Sequence, residues 1–333
     1  MRIQNRKPAP ESDRAPAHGY RYSWRSFPTI GDAAPVRACP PQRTRASMTN
    51  APDARAILDD LADRSRIIRT PCGTGDLVWR AWGPPESAKS PLVLLHGGSG
   101  AWNHWVRTIP HFANSRTVIA ADLPGCGDSA DPPEPYDAES LAEILANGLE
   151  TAVPGGAPFE LVGFSFGGIV GAPIARCLGH RICRLTIVGT PILGLATTGR
   201  ANDLAPVPEG LAPEEAAPIY RANLEKLMVY APDAIDDLAM ALHMENMART
   251  RLRSRGIARR TITADNLRNP TCPLAFIYGD RDPTLNPDLE GVRECVRALD
   301  PNAPFLVLRN VGHWAQFEAA EQFNALLAEL LES

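Results

Sequence analysis

The sequence has 333 residues, of which 44% are hydrophobic and 22% charged, a balance typical of a globular protein that excludes a disordered or collagen-like chain. The formal net charge is −4, but residues 1–47 carry +6 and residues 48–333 carry −10. An acidic body does not attract a phosphate backbone, so we expect no nucleic acid partner. No run of 18 uncharged apolar residues occurs, and neither a membrane span nor a Sec signal peptide is predicted.

Residues 1–47 differ in composition from the rest. They contain seven prolines and eight arginines without helical or strand periodicity, and the composition changes abruptly near Met48. We interpret them as a disordered leader. It is either an Arg-rich targeting or interaction tail, or sequence upstream of a true start at Met48.

The seven cysteines are spread singly, without a C-x-x-C pair or a Cys/His cluster at zinc spacing. An odd number of unclustered thiols favours reduced cysteines, a cytoplasmic location and no bound metal.

Apolar runs of strand length recur from residue 65 onward. Residues 65–70 and 76–81 are predicted to form a hairpin, joined by a loop over residues 71–75. Six further runs have the length and apolarity of buried strands, and most are separated by helical patterns: residues 91–95, 117–121, 159–163, 184–188, 274–278 and 304–308. This alternation predicts the α/β class, with a mostly parallel sheet and helices on both faces. The roughly 80 residues between the fourth and fifth of these runs lack a strand signal and predict an inserted helical element.

The motif Gly-Phe-Ser-Phe-Gly-Gly at residues 163–168 follows one apolar strand and precedes a helical pattern. This context predicts a nucleophile elbow, a sharp and strained turn that lifts the hydroxyl of Ser165 clear of the backbone. The glycines on both sides of the serine keep the strand and the helix from colliding. The alternative is a glycine-rich turn with an idle serine.

A second glycine-rich turn, His-Gly-Gly-Ser-Gly at residues 96–100, ends an earlier strand. Acyl transfer builds negative charge on oxygen, and backbone N–H groups stabilise that charge. We assign the donors as the N–H groups of Gly98 and Phe166, the latter at the start of the helix after the elbow. Such a turn could also cradle a phosphate, but G-x-x-x-x-G-K-[ST] and an acidic ribose partner are absent, so no cofactor is predicted. His96 is interpreted as a structural residue that shapes the loop.

A base and an acid complete the predicted site. His313 follows the last apolar strand and is the only one of the seven histidines in a strand-end loop late enough in the chain. The acid should lie between Ser165 and His313 at a strand end, where residues 279–282 supply two carboxylates. Asp282 is the predicted acid, and Asp280 is the second choice. A buried aspartate would hold the tautomer of the histidine and offset the imidazolium that forms when the serine loses its proton.

Together with Asp-Leu-Pro-Gly-Cys-Gly-Asp-Ser at residues 122–129 and Gly-His-Trp at 312–314, these motifs resemble the α/β-hydrolase fold superfamily. The resemblance implies that Ser165 is the nucleophile, Asp282 the acid and His313 the base. It also implies that a helical cap covers the site. The corresponding domains are an α/β-hydrolase core and a cap insertion, assigned to residues 48–191 with 266–333 and to residues 192–265 respectively.

The tail Gly-His-Trp-Ala-Gln-Phe-Glu at residues 312–318 is similar to that of the meta-cleavage-product hydrolases, which cut carbon–carbon bonds in ring-fission dienones. The oxyanion loop departs from the longer Ser-Gly-Pro-Gly form of that family. Asp122 and Asp128 match positions that are structural in the superfamily. A serine at the elbow, where epoxide hydrolases and haloalkane dehalogenases carry aspartate, disfavours those two chemistries.

The predicted cap is rich in methionine and arginine. All four methionines other than Met1 and Met48 lie in it, and they either form an apolar lid over an acyl or aryl pocket or fill gaps between helices. The arginines of residues 249–260 either steer carboxylate substrates or lie on a solvated helix face.

The predicted function is a cofactor-free serine hydrolase that acts on an ester-like carbonyl of a small, partly apolar substrate. Two alternatives stay open, a carbon–carbon bond hydrolase of the meta-cleavage type and a non-catalytic ligand-binding protein on the same fold. We expect a small-molecule substrate and no membrane partner, and a homo-oligomer stays open.

Overall fold

An eight-stranded sheet organises the chain. The structure, a computed structural model, describes residues 53–332 except 197, 198, 200 and 201, so the predicted leader lies outside the described part. The strands, in chain order, are β1 (Arg66–Cys72), β2 (Gly75–Trp82), β3 (Leu92–Leu95), β4 (Val118–Ala121), β5 (Phe159–Phe164), β6 (Ile182–Val188), β7 (Leu274–Gly279) and β8 (Phe305–Leu308). Their order across the sheet is β1-β2-β4-β3-β5-β6-β7-β8. The pairs β1–β2 and β2–β4 are antiparallel and all other neighbours are parallel, which confirms the predicted mostly parallel sheet.

Two apolar cores lie on opposite faces of this sheet. In β3, Val93 and Leu95 join one core, while Leu92 and Leu94 join the other, because successive side chains of a strand point to opposite sides. Every residue of β3, β4, β5 and β7 is buried, as is typical of parallel strands covered on both faces.

Helices cover both faces of the sheet. They are α1 (Ala54–Asp63), α2 (Ile109–Ala113), α3 (Ala138–Ala152), α4 (Phe166–Leu178), α5 (Pro213–Leu227), α6 (Asp237–Arg249), α7 (Ser254–Ala258), α8 (Ile262–Asn266), α9 (Leu289–Leu299), α10 (Ala315–Glu318) and α11 (Ala320–Glu332). Side chains of α3, α4 and α9 contribute to one core, and side chains of α1, α2 and α11 contribute to the other. Among the described residues, none of the helices combines the length and apolarity that a membrane crossing requires.

The hairpin turn is shorter than the sequence predicts. A loop over residues 71–75 was expected, whereas only Gly73 and Thr74 separate β1 from β2. Pro71 pairs with Asp76 inside the ladder. A proline is tolerated there because β1 is an edge strand, and a missing N–H donor on the outer side of an edge strand breaks no ladder bond.

The segment between β6 and β7 is the one in which the sequence predicts a helical insertion. Its described residues form α5, α6, α7 and α8 and contain no strand. Backbone hydrogen bonds tie it to the core: Trp314 N–H donates to Met228 O at 2.7 Å, and Arg251 N–H donates to Gly125 O at 2.8 Å. The exact limits of a cap at residues 192–265 stay a prediction.

Candidate active site

Ser165 occupies the sharp turn between β5 and α4. Its backbone has a φ of +51°, a left-handed conformation that residues other than glycine rarely adopt. A side-chain carbon on Gly163 would come within 2.6 Å of the carbonyl oxygen of Gly167. One on Gly167 would come within 2.7 Å of the backbone oxygens of Leu95 and His96. The turn therefore requires glycine at both positions.

A continuous hydrogen-bond path joins the three side chains that the sequence predicts to be catalytic. Oγ of Ser165 lies 2.9 Å from Nε2 of His313, and Nδ1 of His313 lies 2.8 Å from Oδ2 of Asp282. The side chains of His313 and Asp282 are buried, so water and salt screen their interaction little. The fold thus brings together side chains up to 148 positions apart in the chain.

Thr284 belongs to the same network, although no sequence pattern singled it out. Its N–H and its hydroxyl both donate to Oδ1 of Asp282, at 2.8 and 2.7 Å. Its Oγ1 is also 3.2 Å from Nδ1 of His313. The available signal was the Asp-Pro-Thr spacing, because an aspartate side chain often accepts the N–H two residues later. Thr284 therefore fixes which carboxylate oxygen faces the histidine.

Asp280, the second-choice acid, has different partners. Its Oδ1 accepts the N–H of Asn310 at 2.6 Å. The guanidinium groups of Arg281 and Arg309 each lie 3.7 Å from its carboxylate. These contacts anchor the start of the loop that carries His313, and none of them involves the imidazole.

The two residues predicted to donate to the oxyanion lie next to each other beside Ser165. A side-chain carbon on Gly98 would lie 3.9 Å from Cβ of Phe166, and both residues line the same cavity as the serine. Among the described residues, no hydrogen-bond acceptor is found for either backbone N–H. Two unpaired N–H groups, one of them at a helix N-terminus, suit an oxygen that gains negative charge.

His96 supports the oxyanion loop through two backbone groups. Its Nε2 accepts the N–H of Leu123 at 2.8 Å, and its Nδ1 lies 2.7 Å from the carbonyl oxygen of Gly97. Burial lowers the pKa of His96 to about 4, so the ring stays neutral and Nε2 keeps the lone pair that this arrangement needs. These contacts fit the structural role that the sequence suggested.

Asp122 ties the segment after the oxyanion loop to the loop at residues 122–129. Its Oδ1 accepts the N–H of Trp102 at 2.8 Å, and its Oδ2 accepts the N–H of Asp128 at 2.9 Å. Burial raises the pKa of Asp122 to about 6, although these two hydrogen bonds oppose the increase. In its charged form, the carboxyl group of Asp122 therefore lowers the free energy of unfolding.

We expect this carboxyl to make the free energy of unfolding fall as pH rises from about 4 to about 6. Below its ordinary pKa of 3.8 both states are protonated, above 6 both are charged, and in between only the folded chain holds the proton. Urea denaturation should favour the wild type over Asp122→Asn by about 2 kcal/mol more at pH 4.5 than at pH 7. An equal difference at the two pH values would contradict this expectation.

Glu318, the last residue of the tail motif, holds the loop that carries His313. Its carboxylate accepts three backbone N–H groups, those of Gly312 (2.7 Å), Tyr230 (3.0 Å) and Ala231 (2.7 Å). One donor belongs to the histidine loop and two belong to the segment between β6 and β7. The glutamate thus links the predicted cap to the predicted base, a role that the motif alone did not suggest.

A cavity of about 430 Å³ adjoins Ser165 and His313. Apolar side chains from the segment between β6 and β7 form much of its wall, namely Leu195, Leu204, Leu227, Met228, Met247 and Leu252. Polar side chains also line it, namely His104, Asn223, His243, Ser254 and Thr284. Two of the four methionines therefore face the cavity. Within the described chain, no group of three or more His, Cys, Asp or Glu side chains is placed to hold a metal ion.

The basic run at residues 249–260 divides between two environments. Arg249 pairs with Asp128, and Nε of Arg251 lies 2.6 Å from Oδ1 of Asp131, so these two arginines bind acidic side chains beyond β4. Other arginines of the run, Arg253 and Arg255, line the cavity. The arginines therefore do not all lie on one solvated helix face, which was one of the two alternatives that the sequence left open.

Comparison with known proteins places the chain in a family. A mostly parallel eight-stranded sheet with a serine at a strand-to-helix turn is the α/β-hydrolase fold. Residues 92–326 match the Alpha/beta hydrolase family, and the chain belongs to that family. The predicted fold class is confirmed, and the family supports hydrolase activity.

Two relatives and one solved structure define the similarity more closely. A 2-hydroxy-6-oxononadienedioate/2-hydroxy-6-oxononatrienedioate hydrolase of Burkholderia vietnamiensis is 32% identical over 72% of this chain and 86% of its own. A dihydrolipoyllysine-residue acetyltransferase component of the acetoin cleaving system of Pseudomonas putida is 29% identical over 73% of this chain, which spans only 63% of that relative. An esterase of a Rhodococcus species has the same fold, with a TM-score of 0.67 at 24% identity over 80% of this chain and 98% of its own. The predicted similarity to meta-cleavage-product hydrolases is thereby confirmed.

Proposed function

We propose that the protein is a serine hydrolase in which Ser165 is the nucleophile, His313 the general base and Asp282 the acid that orients the histidine. The observation that carries the proposal is the unbroken hydrogen-bond path from the serine hydroxyl through the imidazole to a buried carboxylate. Such a path activates a hydroxyl that is a weak nucleophile at neutral pH.

The reaction follows from these positions. Oγ of Ser165 bonds to the substrate carbonyl carbon while its proton passes to Nε2 of His313, and the carbonyl oxygen becomes an anion next to the N–H groups of Gly98 and Phe166. The carbon–oxygen bond to the leaving alcohol then breaks, and His313 returns the proton to that oxygen. Water, deprotonated by the same imidazole, attacks the acyl-enzyme, releases the acid and restores the serine.

An ester of a small, partly apolar acid fits the site best. The cavity of about 430 Å³ is large enough for a small substrate, and leucine and methionine side chains form much of its wall. A cytoplasmic location stays a prediction from the sequence, and the oligomeric state stays open.

A fluorophosphonate probe tests the nucleophile. We expect one equivalent of probe to label wild-type protein, mass spectrometry to locate the adduct on Ser165, and Ser165→Ala to remain unlabelled. The thiol of Cys177 is free and exposed to solvent, so Cys177→Ser serves as a control that should label like wild type. If the wild type takes up no probe, the proposal fails and a non-catalytic binding protein on this fold becomes the better interpretation.

Hydrolysis of a carbon–carbon bond next to a ketone is the second candidate. The 32% identity with the Burkholderia vietnamiensis hydrolase favours it. Arg253, which lines the cavity, supplies a cation for one carboxylate of a dienedioate. We expect kcat/KM for p-nitrophenyl esters to exceed that for a ring-fission dienone, and the reverse order would assign the protein to the carbon–carbon hydrolases.

A further inference from the structure

His104 is a buried cavity histidine that the proposed reaction does not use. It lies in a short 3-10 helix, Trp102–Trp105, which follows the oxyanion loop. Only 3% of its surface is exposed, yet the residue lines the cavity together with Ser165 and His313. Its Nδ1 is fully buried and has no hydrogen-bond partner within the described residues.

The ring of His104 is held by the chain neighbours of two site residues. Its centroid lies 5.7 Å from that of Phe164, which precedes Ser165, and 5.1 Å from that of Trp314, which follows His313. The indole N–H of Trp314 also donates to the carbonyl oxygen of His104 at 3.1 Å. The imidazole therefore has a fixed position relative to the serine and the base, as a preorganised binding group requires.

Gly100 makes room for this arrangement. A side-chain carbon at Gly100 would overlap the ring of His104. Glycine is therefore required at position 100 so that the imidazole of His104 can pack against the oxyanion loop. This requirement is independent of the turn at Ser165.

The imidazole of His104 is neutral. Burial, together with the neighbouring imidazoles of His96, His243 and His313, holds the pKa of His104 well below its ordinary 6.5. A neutral ring carries one N–H and one lone pair. Buried N–H groups without an acceptor are rarer in proteins than unpaired acceptors, so the sealed Nδ1 is expected to carry the lone pair. The proton then lies on Nε2, the nitrogen that remains for a ligand in the cavity.

We propose that Nε2–H of His104 donates a hydrogen bond to a second, uncharged oxygen of the substrate, separate from the carbonyl that Ser165 attacks. His104 is then a positioning residue that selects acyl substrates with an additional ketone or hydroxyl oxygen. A neutral donor suits such an oxygen, whereas a carboxylate is bound more strongly by a charged donor. This role depends on the proposed function in one respect, namely that the reacting carbonyl of the substrate binds next to Ser165.

His243 provides the matched comparison. It also lines the cavity, and burial lowers its pKa to about 4, so it is a second neutral histidine at the same site. It lies on α6, and its ring contacts Tyr220 of α5 with the centroids 5.5 Å apart. Both residues of this contact lie in the predicted cap rather than in the loops that carry Ser165 and His313. A substrate oxygen positioned against the reacting carbonyl should therefore depend on His104 and not on His243.

Calorimetry with unreactive ketones tests this role. In Ser165→Ala protein, which cannot form an adduct, we measure Kd for heptan-2-one and for heptane-2,4-dione, heptane-2,5-dione and heptane-2,6-dione. At least one dione should bind about tenfold more tightly than the monoketone, the effect of one added hydrogen bond. His104→Phe should remove that advantage without weakening the monoketone, and His243→Phe should retain it. A change that merely loosens the fold would weaken both ligands alike.

The role is overturned if no dione exceeds the monoketone, if the advantage survives His104→Phe, or if His243→Phe removes it. Nitrogen NMR of the His104 ring in Ser165→Ala protein gives a second readout that does not depend on the Phe variant folding. We expect Nε2 protonated and Nδ1 unprotonated, with a shift of Nε2 on addition of the favoured dione. The opposite tautomer, or no shift, overturns the role. Fluorophosphonate labelling of wild-type protein reports separately on the proposed hydrolase, so the two failures are distinguishable.

Discussion

Asp282→Asn is expected to lower kcat about 10⁴-fold while leaving the fold intact. Oδ1 of Asp282 accepts two hydrogen bonds from Thr284, so the amide oxygen of the asparagine will take that place and the NH₂ group will face His313. The amide then donates to Nδ1, and the imidazole must carry its proton on Nε2. In that tautomer Nε2 cannot accept the proton of Ser165, and the nucleophile is no longer activated.

The rate of p-nitrophenol release from a saturating p-nitrophenyl ester gives kcat. The thermal unfolding midpoint shows whether the variant is folded. Asp280→Asn is the matched control because Asp280 is two residues away and accepts a backbone N–H that an amide oxygen can also accept. We expect this control to stay within about threefold of wild type, since its contacts do not reach the imidazole. A kcat for Asp282→Asn within tenfold of wild type, at an unchanged unfolding midpoint, would contradict the assignment of the acid.

The central strands could be predicted closely because a parallel strand that is buried on both faces needs an unbroken apolar run. The antiparallel pair β1–β2 was predictable from the two strand-like runs and the glycine-containing turn between them. All eight were expected within two residues of their observed ends. Pro71 shows where the pattern misleads: proline is a turn former by itself, and only the place of β1 at the sheet edge lets it stay in the ladder. Whether β1 lies at the edge of the sheet depends on which strands pair, and a local sequence pattern does not predict that pairing.

The same distinction applies to the site. Ser165 was predictable because its glycines answer a local backbone requirement, and Asp282 and His313 because strand ends and chain order restrict the choice. Thr284 donates its N–H and its hydroxyl to one oxygen of Asp282, and Glu318 accepts backbone N–H groups with both of its oxygens. Such contacts leave no periodic trace in the sequence. These residues position the predicted ones, and apart from the Asp-Pro-Thr spacing that leads to Thr284, only their three-dimensional contacts identify them.

A single methyl group at the elbow is expected to have the largest effect on stability. Its carbon in Gly167→Ala would come within 2.7 Å of the backbone oxygens of Leu95 and His96. Leu95 pairs with Ala121 on one side and with Gly163 on the other, so its carbonyl cannot move without disturbing the centre of the sheet. Overpacking usually costs about 1–3 kcal/mol, and we expect Gly167→Ala to exceed the top of that range or to prevent folding.

Gly168→Ala should behave differently because the new methyl group would overlap a side-chain atom, Oγ1 of Thr190, whereas the backbone atom nearest to it, the carbonyl oxygen of Gly163, would lie 3.1 Å away. That hydroxyl donates to the carbonyl oxygen of Ser165 at 3.0 Å, so Thr190→Ala by itself should cost about 1 kcal/mol. In the double variant the same truncation removes the overlapping oxygen and leaves Cβ of residue 190 at 3.0 Å from the new methyl group. The two changes should therefore cost at least 1 kcal/mol less together than their sum. Urea denaturation of the wild type, Gly168→Ala, Thr190→Ala and their double variant measures this coupling. A second set with Gly167→Ala in place of Gly168→Ala should show no such recovery, and if Gly167→Ala does not fold, its double variant with Thr190→Ala should not fold either. Equal recovery in both backgrounds, or none with Gly168→Ala, would mean that something other than these collisions selects glycine at the elbow.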